Sequence, residues 1–186
     1  MVRVKNKGFI ILIVIGILVI IYCGFSHFRQ MRNLGVISRA VQYLNSSYNR
    51  QNNLNAAIKL NNGISANTCV YFASGALREG GLKVPEDTAN TTELIAFLKR
   101  KGFKKDYNLD RLRAGEICFT SESGNKEETP DHTYIFISWV DSSHEDAYVC
   151  DNQKKDYGDC YHKRNVKYES NVNGQKKSKT IYYMKY

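Results

Sequence analysis

The sequence predicts an α+β domain in which N-terminal helices pack on an antiparallel β-sheet, preceded by one transmembrane helix. Three observations predict it. An uncharged apolar run lies near the N-terminus, helix-period patterns bounded by cap and stop residues fill the middle, and Tyr-, Val- and Ile-rich runs fill the last third. Helical patterns that come before the strand patterns, rather than alternating with them, argue for α+β and against a parallel sheet.

The chain of 186 residues is long enough for one soluble domain beside a membrane segment. Residues 8–26 carry no charge and residues 9–25 are almost continuously apolar, close to the lower limit of about 17–25 residues for a spanning helix. Arg3, Lys5 and Lys7 precede the run, and Arg29 and Arg32 follow it. That three-to-two bias predicts a cytoplasmic N-terminus and an extracytoplasmic domain. A cleaved signal peptide fits less well, because its apolar core is usually roughly 7–15 residues long and is followed by a small-residue cleavage site. Ile21-Tyr22-Cys23 sets a bulky tyrosine where a lipoprotein cleavage box needs a small residue. The expected organisation is a basic stub and uncleaved signal anchor over residues 1–28, a helical linker over 29–63 and the domain over 64–186, single-pass in the cell membrane.

Along the chain, Val36, Ile37, Ala40, Val41 and Leu44 recur at helical spacing and predict an amphipathic helix near residues 30–46. Leu54, Ala57 and Ile58 mark a short helix that Asn61-Asn62-Gly63 stops. A helix opening at Cys69 runs to Gly80-Gly81, and Thr91-Thr92-Glu93 caps another that Gly102 closes. Strands are predicted at residues 116–119, 132–140 and 147–152, with a polar loop holding Gly124 and Pro130 between the first two and a turn between the last two. Residues 163–168 and 179–186 read as two more strands, joined by a turn at residues 171–174.

Charge is unevenly placed. Of the net +9, residues 1–28 hold three positive charges, residues 29–153 balance 15 basic against 15 acidic residues, and residues 154–186 carry nine against three. Such a basic tail outside the cell favours polyanions such as anionic wall polymers or lipid headgroups, by charge rather than by a specific site. Nucleic acid is excluded as a partner for an exported domain. Five cysteines, an odd number without a CxxC pair, predict neither a disulfide framework nor a zinc site, although Cys150 and Cys160 are free to pair outside the cell. No cofactor or metal is expected.

Cys69 opens its helix after Asn67-Thr68, where the positive end of the helix dipole favours a thiolate. His132 starts one predicted strand and Asp151-Asn152 end the next, so the hairpin brings base and polar partner to one end of the sheet. A Cys-His-polar set of this kind suits nucleophilic catalysis, the third residue fixing the imidazole tautomer. Cys118 is expected in the core, His144 in a solvated turn and His162 on a basic surface strand.

The order of Cys69 at a helix start, Gly-Glu-Ile-Cys-Phe at 115–119, Asp131-His132-Thr133-Tyr134-Ile135-Phe136 and a strand ending in Asp151-Asn152 resembles the papain-like cell-wall hydrolases of the CHAP and NlpC type. The resemblance covers about residues 64–153. It departs from that pattern at Asp131, where a small residue is usual, and no wall-binding repeat accompanies it. It implies a papain-like cysteine peptidase or amidase acting on peptidoglycan, with Cys69 as nucleophile, His132 as base and either Asp151 or Asn152 as orienting residue, Asp151 being preferred. It leaves open whether a stem-peptide amide or the bond to muramic acid is cut. An inactive wall-binding or envelope-scaffold domain and a thiol-dependent acyltransferase are the alternatives.

Overall fold

The computed structural model describes residues 5–122 and 127–186. Arg3 and Gly124, used above for the charge bias and the polar loop, lie outside them. The chain falls into two units that divide between Leu34 and Gly35.

Helix α1 (Lys5–Leu44) begins in the first unit, where it is long and apolar enough to cross a membrane and its apolar side chains from Phe9 to Phe28 are exposed. The amphipathic segment predicted after the anchor is a continuation of this same helix. In the second unit its last turns bury Val36, Ile37, Ala40 and Leu44 in the core. That unit therefore begins well before residue 64, and the segment expected as a linker supplies core. Gly115 shows why: its φ of +88° favours glycine, and a Cβ there would stand 2.1 Å from Ile37 Cγ2.

Helix α2 (Ser47–Leu60) starts at Ser46, whose hydroxyl accepts the Asn49 N–H, and buries Leu54 and Ala57. Arg50 on it grips Asp159 with Nε at 3.1 Å and Nη2 at 2.8 Å, a bidentate pair that ties the helix to the far end of the chain. Helix α3 (Cys69–Glu79) turns Val70, Phe72, Ala73, Ala76 and Leu77 inward; full burial of Phe72 or Leu77 contributes about 1.5–3 kcal/mol each. Asn53 of α2 locks onto α3 by donating to the Phe72 carbonyl at 2.8 Å, with Gly75 leaving room for the amide. Helix α4 (Thr91–Arg100) is capped by Asn90, not by Thr91 or Thr92: Asn90 Oδ1 accepts the Glu93 N–H, while Glu93 accepts the Ala89 N–H. The threonine hydroxyls instead donate to the Pro130 and Glu128 carbonyls and pin the loop that leads to His132.

The sheet is antiparallel with six strands, β1 (Lys104–Asp106), β2 (Ile117–Thr120), β3 (His132–Trp139), β4 (Asp146–Cys150), β5 (Tyr161–Asn165) and β8 (Thr180–Lys185), in the order β1-β8-β2-β3-β4-β5. A separate hairpin, β6 (Ser170–Val172) with β7 (Gln175–Lys177), lies between β5 and β8 in sequence, and a short helix α5 (Lys154–Tyr157) precedes β5. The last two long strands therefore do not pair with each other across a turn, contrary to the expectation. β5 pairs with β4, whereas β8 crosses to pair with β2 and β1. Strand alternation gives the sheet two buried faces. Ile117, Phe119, Ile135, Cys150, Tyr182 and Met184 meet the helices, while Cys118, Tyr134, Phe136, Val149 and Tyr183 form a second core on the other side. The chain is α+β with an antiparallel sheet and one long apolar N-terminal helix.

Candidate functional site

α3 packs on β3 and brings Cys69 to the start of that strand. Asn67, at φ 58°, takes the left-handed conformation that asparagine tolerates and turns the chain into the helix. Thr68 occupies the N-cap position but caps nothing with its side chain. Its hydroxyl donates to the Ser65 carbonyl at 2.9 Å and accepts Asn152 Nδ2 at 3.0 Å. The first turn of α3 is therefore left without a side-chain cap from Thr68.

Cys69 interacts with His132 and with the Thr133 backbone N–H, and both favour its thiolate. His132 Nε2 meets Asp151 Oδ2 at 2.8 Å, which leaves Nδ1 for the thiol. Asp151 is the first residue past β4 rather than part of it, and it is fully buried. Its backbone N–H bonds the Cys160 carbonyl at 3.1 Å, and its Oδ1 accepts the Gln153 N–H at 2.7 Å. Backbone and side-chain bonds together fix the carboxylate's aim. Of the two adjacent candidates, Asp151 contacts the imidazole, while Asn152 reaches Thr68 and ties the end of β4 to the loop in front of Cys69.

The electrostatics follow from these contacts. Burial raises the Cys69 pKa, but the His132 hydrogen bond and charge and the Thr133 N–H outweigh it, so the thiol lies below its ordinary value. Burial also opposes charge on His132, yet its bonds to Asp151 and Cys69 push it up to about 9. For Asp151, burial raises the pKa, and His162, His132 and Arg164 more than reverse this to about 2. Burial lowers the pKa of His162, so at neutral pH Asp151 depends on His132 and Arg164. The combination favours a thiolate-imidazolium pair backed by a carboxylate.

A depressed carboxylate pKa contributes stability that is fully present above the unfolded value of about 3.9 and is lost as pH falls toward about 2. Roughly 2 kcal/mol is expected from this shift at neutral pH. Denaturant unfolding of wild type and Asp151→Asn should show a stability gap at about pH 5 that shrinks steadily toward pH 2. A gap that does not change with pH would mean that Asp151 gains nothing from its ionised form.

The cleft that opens at Cys69 and His132 has a volume of about 200 Å³. One side is formed by Thr120, Glu122 and Asp131 at the β2–β3 end, the other by Gln153, Arg164, Lys177 and Ser178. The segment read as a basic tail is therefore folded, and it walls the site. Most of its charges are paired: Lys163 with Asp146, Lys167 with Asp110, Lys176 with Glu169, Lys177 with Asp156 and Lys185 with Asp106. His162 is likewise not on the surface. It is buried beneath the site, its ring stacked 3.7 Å from Tyr157 and its Nε2 3.8 Å from Asp151 Oδ1. In Tyr161-His162-Lys163-Arg164-Asn165, strand alternation puts His162 and Arg164 on one face. Since both faces of that strand are polar, no hydrophobic pattern marks which is inward.

Glu116 does not line the cleft; it accepts the Arg113 N–H at 2.8 Å, and burial raises its pKa to about 7. Cys118, Cys150 and Cys160 are buried free thiols, Cys118 in the core as expected. His144 stacks on Trp139 in the β3–β4 turn. No protein-family model, curated protein or solved structure matches the chain.

Proposed function

We propose that this chain is a membrane-anchored, extracytoplasmic cysteine hydrolase of papain-like architecture that cleaves amide bonds in peptidoglycan stem peptides. The observation that carries the reading is the order Cys69, His132 and Asp151 at a cleft: Asp151 hydrogen-bonds the imidazole, His132 favours the thiolate, and the thiol stands on the first turn of α3. The wall substrate rests on the resemblance of residues 64–153 and on the apolar helix that suits a membrane anchor.

In this mechanism the Cys69 thiolate attacks the amide carbonyl, and the backbone N–H of Cys69 at the helix start steadies the oxyanion. The imidazolium gives its Nδ1 proton to the departing amine, leaving a thioester. His132, now neutral, takes a proton from water, and the resulting attack releases the acid and restores the thiolate. Asp151 holds the ring in the required tautomer throughout and stabilises its charged form. Since the leaving amine needs the imidazolium, turnover declines as pH rises through about 9.

Mass spectrometry of muropeptides treated with wild type and Cys69→Ala tests the reading. Fragments from the wild type alone, with a new amine and a new carboxyl whose masses together exceed the parent's by one water, are the expected result. Identical digests would overturn the hydrolase and favour the scaffold reading. Conjugates in which an amine takes the place of water would identify an acyltransferase.

A further inference from the structure

Arg164 is an unusual neighbour for a nucleophile. It is 3% exposed and still lines the cleft that Cys69 opens into. Its partners are neutral: Nη1 donates to Gln153 Oε1 at 3.1 Å, Nη2 donates to the Ser178 carbonyl at 2.8 Å, and the guanidinium lies over the Tyr134 ring at 5.2 Å. Nε has no hydrogen-bond partner. Among the described residues no carboxylate lies within ion-pair distance of it. Asp151, the acid whose charge it feels, already has Oδ2 on His132 and Oδ1 on the Gln153 N–H. Burying a guanidinium without a paired anion is costly.

The other cations of that wall are already paired, Lys177 with Asp156 at 2.5 Å and Lys176 with Glu169 at 2.9 Å. The opposite wall holds Glu122 and Asp131. Strand order separates the two walls, because β2 and β5 lie on opposite sides of β3. The cleft therefore offers, on the β5 side of the thiol, one guanidinium with no carboxylate in ion-pair contact.

We propose that Arg164 forms a carboxylate subsite that holds one free carboxylate of the substrate close to the scissile amide, on the β5 side of Cys69. One unpaired guanidinium matches one monoanion, and its planar fork suits a carboxylate. The inference rests on Cys69 being the nucleophile. It adds to that reading the charge of the substrate and the direction in which it lies.

Alkylation of Cys69 in the full-length protein, with iodoacetate as the anionic probe and iodoacetamide as its neutral match, tests the subsite without a known substrate. Relative to the same ratio for glutathione, the iodoacetate-to-iodoacetamide rate ratio at Cys69 should be raised on the order of tenfold, as expected for one ion pair in a partly dry site. N-acetylglycine should protect against iodoacetate, and N-acetylglycinamide should not. Arg164→Gln should lower the ratio toward the glutathione value, a readout that cancels any change in the thiolate caused by altered support of Asp151, and Arg164→Lys should restore part of it. Arg164→Lys, which keeps the charge but loses the planar fork and is expected to lower the ratio only in part, serves if Arg164→Gln does not fold. A glutathione-like ratio in the wild type, or a raised ratio that neither variant lowers, would overturn the subsite, the second by assigning the attraction to the His132 imidazolium alone. If Cys69 reacts with neither reagent ahead of the buried thiols, the nucleophile itself is wrong, and the subsite falls with it.

Discussion

At about pH 6, iodoacetamide is expected to label Cys69 roughly a hundredfold faster than Cys118, Cys150 or Cys160 in the folded protein. Access and ionisation act in the same direction, since Cys69 lines the cleft whereas the other three thiols are closed off in the core; the His132→Ala comparison isolates ionisation. Burial drives the Cys118 and Cys150 thiols well above the ordinary range and Cys160 up to about 12, while His132 and the Thr133 N–H hold Cys69 below its ordinary value. Even an ordinary thiol of pKa ~8.5 is only about 0.3% thiolate at pH 6, and the thiolate is the species that reacts. Removing the imidazole by His132→Ala should cost Cys69 most of its advantage. Equal labelling of all four cysteines in the folded state would make Cys69 a core filler and withdraw the nucleophile from the mechanism.

The parts of the fold that could be read in advance are those set by local physics. The absence of charge from residues 8–26 marks the apolar helix, and Gly80-Gly81 and Gly102 mark where α3 and α4 stop. The β3–β4 hairpin is also local, so His132 and Asp151 could be brought together by following the chain through one turn. Pairings between distant segments were not legible. Nothing in residues 163–186 says that β5 seals against β4 while β8 crosses to β2, because register across such distances is decided by the whole core. The basic tail was misread for the same reason: counting charges takes no account of partners, and Asp110, Asp146 and Asp156 lie far from or near their lysines only once the sheet has formed. Lys177, counted above only as part of the basic tail, is a buried wall of the cleft. The choice between Asp151 and Asn152 escaped strand alternation too, since both lie beyond the end of β4, where side-chain direction is set by a turn.

That turn makes the pair separable by mutation, and Asp151→Asn should be by far the more damaging change. The substitution keeps the shape but replaces an acceptor-only carboxylate with an amide, which permits the wrong imidazole tautomer and no longer balances the imidazolium. A loss of about 10³–10⁴ in turnover is expected, on the scale seen when a triad carboxylate becomes an amide. In the same variant the iodoacetamide rate of Cys69 at about pH 6 should fall, because a less stabilised imidazolium supports less thiolate. Asn152→Ala removes only the 3.0 Å bond to Thr68 Oγ1. Its expected cost is about 1 kcal/mol of local order, less than tenfold in turnover, with little change in labelling. The opposite ranking, Asn152→Ala costing more than Asp151→Asn in both assays, would move the orienting role to Asn152 and require the cleft to rearrange before reaction. Equal and small losses would mean that His132 is oriented well enough by its strand, and Asp151 would then be a buried structural acid whose partners, His132 and Arg164, serve folding rather than turnover.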